Sequence, residues 1–323
     1  MSNSNQLEMM ERIALDLEGV ERALASSFNT GSEDFNTLIR PLSEAGGKRL
    51  RAQLCLLIAN AGTSVEEERI KIAEAVEMLH LATLIHDDVL DQAEIRRGEE
   101  TIHKHKGNKV AILSGDYLFA KAFRIVSEMP HMEYLKIFSH IITCLVEGEF
   151  MQMEDVYRID QGIDRYMTKT QKKTADFMEG CMELGGLLGG WSSDEIMYLK
   201  RYGHALGMAF QITDDIMDYR ETSDTTGKPV GNDLREGLLT YPLLSIVNES
   251  NQNQLLQDIK NLNHGGNEQE IIDYVIAQGG IDNTLQVAQQ YCDDALSALQ
   301  SIRDFDGKEF LVLAVQNLAD RKV

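Results

Sequence analysis

The sequence predicts an all-helical protein, a single-domain bundle spanning residues 1–323, and three observations predict it. Only four prolines interrupt 323 residues. Apolar residues recur at spacings of three and four, as Val76, Leu79, Thr83 and Leu90 show within residues 68–92. Strand-like alternation bounded by turn signals is scarce.

Turn signals divide the helices in order along the chain. They are Gly62-Thr63-Ser64, the polar stretch Lys104 to Lys109, Met129-Pro130, Gly189-Gly190, the segment Glu221 to Gly237, Asn261 to Asn267, and Gly279-Gly280. None is long, proline-rich or low in complexity, so none reads as a linker between domains. The segment from Glu221 to Gly237 is the longest non-periodic piece. It holds Gly227, Lys228, Pro229 and Gly231, which suits an ordered functional loop. Gly185-Gly186-Leu187-Leu188-Gly189-Gly190 suits a close helix contact, within or between subunits.

Composition narrows the function. A hydrophobic content of 43% over this length supplies a sizeable core. A formal net charge of −21 repels a phosphate backbone, so no nucleic-acid partner is expected. Cys55, Cys144, Cys181 and Cys292 are far apart and lie among apolar residues, as reduced core thiols do; this favours the cytoplasm. The polar, acidic start from Met1 to Leu17 does not read as a signal peptide. No run of about 18 apolar residues is present, so no integral membrane protein is expected, although a substrate or product can still be membrane-soluble.

One short pattern recurs. Asp87-Asp88-Val89-Leu90-Asp91 follows the apolar run Leu79 to Ile85, and Asp214-Asp215-Ile216-Met217-Asp218 follows Leu206 to Ile212. Both read DDxxD. On a helix, residues four apart share a face, so Asp87 projects with Asp91 and Asp214 with Asp218, while Asp88 and Asp215 sit on the flank. Like charges four apart destabilise a helix by a few tenths of a kcal/mol. A single copy in so acidic a chain would read as a solvated helix end. Two copies, each after a core-like helix, point instead to cations. All-oxygen ligands suit Mg²⁺, which takes one or two carboxylates plus substrate phosphate. Zinc would need Cys or His in a cluster, and an EF-hand would need alternating ligands around a central glycine.

Positive charges stand near these carboxylates in the chain. Arg96 and Arg97 follow the first cluster. Gly46-Gly47-Lys48-Arg49-Leu50-Arg51, Lys172-Lys173-Thr174 and Gly227-Lys228-Pro229 add others. Each alone reads as surface charge; beside two magnesium-type clusters they read as a diphosphate site. His80 alone on an apolar helix would be a core histidine, but it lies seven residues before Asp87 on the same stripe, which assigns it to the site.

These residues resemble the all-trans polyprenyl diphosphate synthases. The resemblance rests on GGKRLR at 46–51, HLATLIHDDVLDQAEIRRG at 80–98, GD at 115–116, KTADF at 173–177 and AFQITDDIMDYRETSDTTGKPVGNDLREG at 209–237, within a match from Gly46 to Pro242. It implies a helical bundle of the isoprenoid synthase type with a central active-site cavity. It implies a prenyltransferase that condenses isopentenyl diphosphate with an allylic diphosphate, using about three Mg²⁺ ions. Asp87, Asp91 and Asp214 would ligate metal directly. Asp88, Asp215 and Asp218 would be ligands or their supports. Arg96, Lys173 and Lys228 would neutralise the leaving diphosphate, with Thr174 and Gln211 hydrogen-bonding nearby. Lys48, Arg51, His80 and Arg97 would hold isopentenyl diphosphate.

Many relatives carry Lys where this chain has Leu238, a departure that removes one phosphate contact. Short-product relatives place bulky aromatics four or five residues before the first aspartate, where this chain has Thr83 and Ala82. The resemblance therefore implies a product of twenty carbons or more. It also implies a homodimer, or the catalytic half of a heteromer with a small helper subunit and inactive alone. A terpene cyclase would replace the second cluster by a mixed Asn/Ser/Glu motif. A non-catalytic regulatory subunit would lack one cluster. A di-iron bundle would need two Glu-x-x-His pairs, and Glu77 to His80 has no second pair.

Overall fold

The structure, a computed structural model, describes residues 3–28, 33–44, 49–96, 98–220 and 231–319. Its helices follow in order: α1 (Asn3–Ser27), α2 (Glu33–Glu44), α3 (Leu50–Asn60) and α4 (Glu66–Leu90). A two-residue hairpin comes next, β1 (Ile95–Arg96) and β2 (Glu99–Glu100). Then come α5 (Ile102–Lys106), α6 (Asn108–Ser127), α7 (Met132–Glu154) and α8 (Ile163–Thr170). A π-turn (Gln171–Ala175) joins α8 to α9 (Asp176–Leu188), and α10 (Ser193–Arg220) follows. The remainder is α11 (Asn232–Glu236), α12 (Tyr241–Leu244), α13 (Gln252–Asn261), α14 (Glu268–Ala277), α15 (Gly280–Gln300) and α16 (Lys308–Ala319). The predicted all-helical class holds, and the hairpin is the only strand pairing among the described residues.

Two local readings change. The polar stretch from Lys104 is not all turn: Thr101 accepts the Lys104 N–H and starts α5, and Gly107 at φ 85° breaks it from α6. The 231–237 end of the non-periodic segment is helical, because Gly231 and Gly237, both left-handed, bracket α11. Residues 221–230 lie outside the described residues.

The chain forms two compact units, and the division passes through α7, α9 and α10. The first comprises residues 1–139, 181–197 and 304–307. Its centre is α4, which packs against α1, α3 and α6. Every residue of α4 from Ile72 to Ala82 except His80 is buried, so the helix is a core element rather than a surface amphipath. Glu66, Glu67 and Glu68 occupy its first turn, where the helix dipole favours negative charge. The glycine run before residue 190 serves packing inside this unit. A Cβ on Gly185 would lie 2.6 Å from the carbonyl oxygen of Cys55, so only glycine lets α9 approach α3. Trp191 then donates its indole N–H to Ile58 O at 3.0 Å and meets Phe305 edge-on.

The second unit comprises residues 140–180, 198–303 and 308–323. Tyr166, Ile216, Leu234, Leu243 and Ile272 share one core. Gly207 matters in this unit as Gly185 does in the first: a Cβ would stand 2.6 Å from Ala175 Cα, so α10 can lie directly on the π-turn. All four cysteines are buried free thiols, as expected. No described helix is long and apolar enough to cross a membrane.

Replacing Gly185 with Val should cost about 1–3 kcal/mol, since the obstacle is backbone and cannot step aside. Urea unfolding of the purified variant checks this, and an unchanged midpoint would contradict the close contact.

Candidate active site

The first aspartate cluster closes α4. Asp91 caps the helix, with its N–H on Asp87 O at 2.8 Å. Asp91 is exposed and Asp87 half-buried, whereas Asp88 is buried. The flanking position thus turns inward, and Asp88 accepts from Arg96 Nε at 2.5 Å. The β1–β2 hairpin brings Arg96 back to it. The loop between them is pinned at Ala93, whose carbonyl accepts from Thr101 Oγ1 and faces His103 Nε2, both at 2.7 Å. Arg96, expected on the leaving diphosphate, is thus paired with a carboxylate of the first cluster.

His80 lies two turns before Asp87, half-buried, with its Nε2 3.5 Å from Arg51 Nη1. These two expected isopentenyl-diphosphate ligands therefore meet. What positions them is not among the residues that the motifs single out. Glu77, 1% exposed, pairs with Arg49 at 3.1 Å and accepts the Ala52 N–H at 3.3 Å. It caps the start of α3 from a neighbouring helix, holding Arg51 beside His80. Burial pushes the Glu77 carboxyl above its ordinary range, and Arg49 opposes that. Arg49, from the same basic run as Arg51, is thereby a packing residue, held also by Glu21 at 2.8 Å. Its left-handed backbone, φ 45°, turns the chain into α3. The signal in the sequence was a glutamate between Val76 and Met78 on an apolar helix.

Of the two chain-length positions, Ala82 is wholly buried and Thr83 half-exposed. The Thr83 hydroxyl donates to His80 O at 2.7 Å.

The second cluster lies in the last two turns of α10. Asp214 is exposed; Asp215 is buried and accepts from Gln211 Nε2 at 3.0 Å and from the Tyr166 hydroxyl. Gln211 Oε1 in turn accepts from Thr174 Oγ1 at 2.9 Å. A hydrogen-bond chain thus joins Thr174, Gln211, Asp215 and Tyr166, and α10 is close enough to make it because Gly207 lies one turn earlier on α10. Asp218 takes the backbone N–H groups of Asn232 and Asp233 at 3.0 and 3.2 Å, capping α11.

Lys173 and Thr174 sit on the π-turn, a local unwinding often found at functional sites. Lys173 reaches Glu149 at 2.6 Å and Gln152 at 2.9 Å rather than the aspartate cluster. Buried Lys169, one turn before Lys173, faces Asp155 at 3.8 Å. Sequence reasoning missed Tyr166, Lys169 and Asp233 as individual residues; the last lies within the motif run at 209–237.

Burial raises the carboxylates of this cluster above their ordinary range. Burial pushes Asp215 up to about 7 and Asp214 adds to it, while the bonds from Tyr166 and Gln211 hold it down. Burial, then Asp218, Asp215 and Asp214, push Asp233 well above its ordinary value. Asp218 is raised by burial as well. Asp214, Asp215 and Asp218 lie at the negative end of α10, and their all-oxygen donor set fits a hard divalent cation. Lys48, Arg97 and Lys228, with the glycine pair at 46–47, lie outside the described residues.

The helical fold is that of the isoprenyl diphosphate synthases. The chain belongs to the polyprenyl synthetase family, whose profile matches residues 32–278, further in both directions than the motifs alone. It is 33% identical over 312 residues to the octaprenyl diphosphate synthase of Escherichia coli (strain K12), covering 95% of this chain and 96% of that protein. It is 32% identical over 287 residues to heptaprenyl diphosphate synthase component 2 of Geobacillus stearothermophilus, covering 89% and 90%. The crystal structure of polyprenyl synthase from Caulobacter crescentus CB15, complexed with calcium and isoprenyl diphosphate, superposes with a TM-score of 0.89 at 30% identity, covering 100% of this chain and 98% of that one.

A carboxylate whose folded pKa is raised binds its proton more tightly folded than unfolded. Below its unfolded value, about 4, that group adds no pH dependence. Between about 4 and the folded value near 7, stability falls as pH rises. Metal-free protein should therefore melt at lower temperature at about pH 7.5 than at about pH 5.5, the first just above that window and the second inside it. Asp215→Asn should shrink the difference without abolishing it, because Asp218 and Asp233 shift the same way. An undiminished slope in Asp215→Asn would count against burial of this carboxylate as the cause.

Proposed function

We infer that this protein is a trans-prenyltransferase that condenses isopentenyl diphosphate with an allylic diphosphate to give an all-trans polyprenyl diphosphate of twenty carbons or more. The observation that carries it is the pair of DDxxD clusters, each ending a buried helix, in a chain of the polyprenyl synthetase family. A divalent metal, Mg²⁺ with about three ions, would be held by Asp87, Asp91 and Asp214. When bound it would supply positive charge to the departing diphosphate.

The chain's own residues do the rest. Asp88 fixes Arg96 at the first cluster, and Asp215 fixes Gln211 and Thr174 at the second. Lys173 and Lys228 would complete the neutralisation of the leaving group. Arg51 and His80, held by the Glu77 network, would grip the second diphosphate with Lys48 and Arg97. Leu238 contributes no charge, and the lysines at 169 and 173 leave the second unit with other cations.

Thr83 supports a long product better than Ala82 does. Its hydroxyl is returned to the helix backbone, so it presents a small apolar surface. The named products of the octaprenyl and heptaprenyl relatives point the same way. The relative called component 2 supports the heteromer reading for this chain.

Incubation with labelled isopentenyl diphosphate, Mg²⁺ and an allylic primer should yield a ladder of polyprenyl diphosphates ending at one length. Asp87→Ala and Asp214→Ala should each lower turnover by at least roughly a hundredfold with the fold intact; near-normal activity in both would defeat the site assignment. Thr83→Phe should move the final product to shorter chains, and an unchanged distribution would show that the tail does not pass residue 83.

A further inference from the structure

The second unit holds a group of metal-type donors that uses none of the aspartates above. On α7, His140 and Cys144 are one turn apart and share a face. Asp176, the first residue of α9, reaches the same point. One ligand atom from each lies within 4.8 Å of the others.

The spacing is informative. Cys144 Sγ stands 3.8 Å from His140 Nδ1 and 3.7 Å from Nε2. The sulfur is nearly equidistant from both ring nitrogens, so it faces the Cε1 side or the face of the imidazole, and the thiol bonds to Asp176. Tetrahedral zinc, with Zn–S about 2.3 Å and Zn–N about 2.0–2.1 Å, puts sulfur and nitrogen about 3.6 Å apart. The 3.7 Å separation is close to that figure, and a turn of the exposed imidazole would aim one nitrogen at a shared ion. Cys144 and Asp176 are buried, and His140 is exposed, which leaves an entry side.

We propose that His140, Cys144 and Asp176 form a binding site for one borderline-soft divalent ion of the Zn²⁺ type, with a fourth position for water. Thiol and imidazole discriminate against Mg²⁺, so the ion would differ from the one serving prenyl transfer. The thiol loses its proton to solvent as the sulfur–metal bond forms. Asp176 also accepts from Gln171 Nε2 at 3.2 Å. Since Asp176 directly follows the π-turn, the ion would clamp the end of that turn to α7. A neighbouring group, Asp176 with Glu179 and His204, also converges within 4.8 Å. There Lys200 stands 3.4 Å from Glu179, and a resident cation opposes a second one. Lys172, the cation near Cys144, is already paired with Glu147 at 2.5 Å.

Titration of the full chain with Co²⁺, in excess Mg²⁺ to fill the aspartate clusters, tests the site. One equivalent should bind with a sulfur-to-cobalt charge-transfer band in the near ultraviolet, and Zn²⁺ should displace it. Cys144→Ser should lose the band. His140→Ala, a change at an exposed residue, should weaken binding by at least about tenfold with an unchanged far-ultraviolet circular dichroism spectrum. Should Cys144→Ser fail to fold, the His140 variant decides. No charge-transfer band in the wild-type chain, a band that survives in Cys144→Ser, or undiminished affinity in His140→Ala would each overturn the proposal.

Discussion

Carboxylates at the C-terminal end of a buried helix are the constraint around which each unit's cluster is organised. Unsatisfied carbonyls make a helix C-terminus electronegative, and acids placed there are repelled by the dipole as well as by one another. Both α4 and α10 carry aspartates within their last two turns, and of the two only α10 has a basic residue in its last turn, Arg220. The energy is tolerable because the flanking aspartates are satisfied by protein, Asp88 by Arg96 and Asp215 by Gln211 and Tyr166. Asp87, Asp91 and Asp214 keep access to solvent, the arrangement in which cations can complete the electrostatics.

The same logic gives the inner aspartate of each cluster a holding role. A carboxylate at 5% exposure is costly unless hydrogen-bonded. Once bonded, it fixes the orientation of whatever donates to it. Asp215 does this for a chain reaching Thr174 on the π-turn, and Asp218 does it for the start of α11. Asp215, pushed up to about 7, shows that these neutral donors do not fully offset the charge.

In the first unit the organising charge is Glu77. Removing Arg49 would strand a buried carboxylate, the costly way to break such a pair. Glu77 also caps α3, so one side chain sets both the approach of two helices and the setting of Arg51 and His80. Glycine at 207 acts by absence in the second unit, admitting backbone where a methyl group would collide.

The helical class, the two DDxxD clusters and the family were legible in the sequence, because each rests on local spacing: few prolines, apolar periodicity, acids four apart. The cysteines as core thiols and the glycine run at 185–190 as a packing contact were legible for the same reason. Partnerships were not. Arg49 and Arg51 stand in one basic run, yet one is buried against Glu21 and Glu77 while the other meets His80. That Arg96 meets Asp88 was not legible, and Tyr166 and Lys169 carried no local signal strong enough to single them out. The π-turn that holds Lys173 and Thr174 is written in no periodicity. Sequence by itself determined which residue types recur at helical spacing, because that depends on neighbours within one turn. Only the tertiary structure decided which charge meets which, because those contacts join residues tens of positions apart, and burial settles them through the cost of leaving any one unsatisfied.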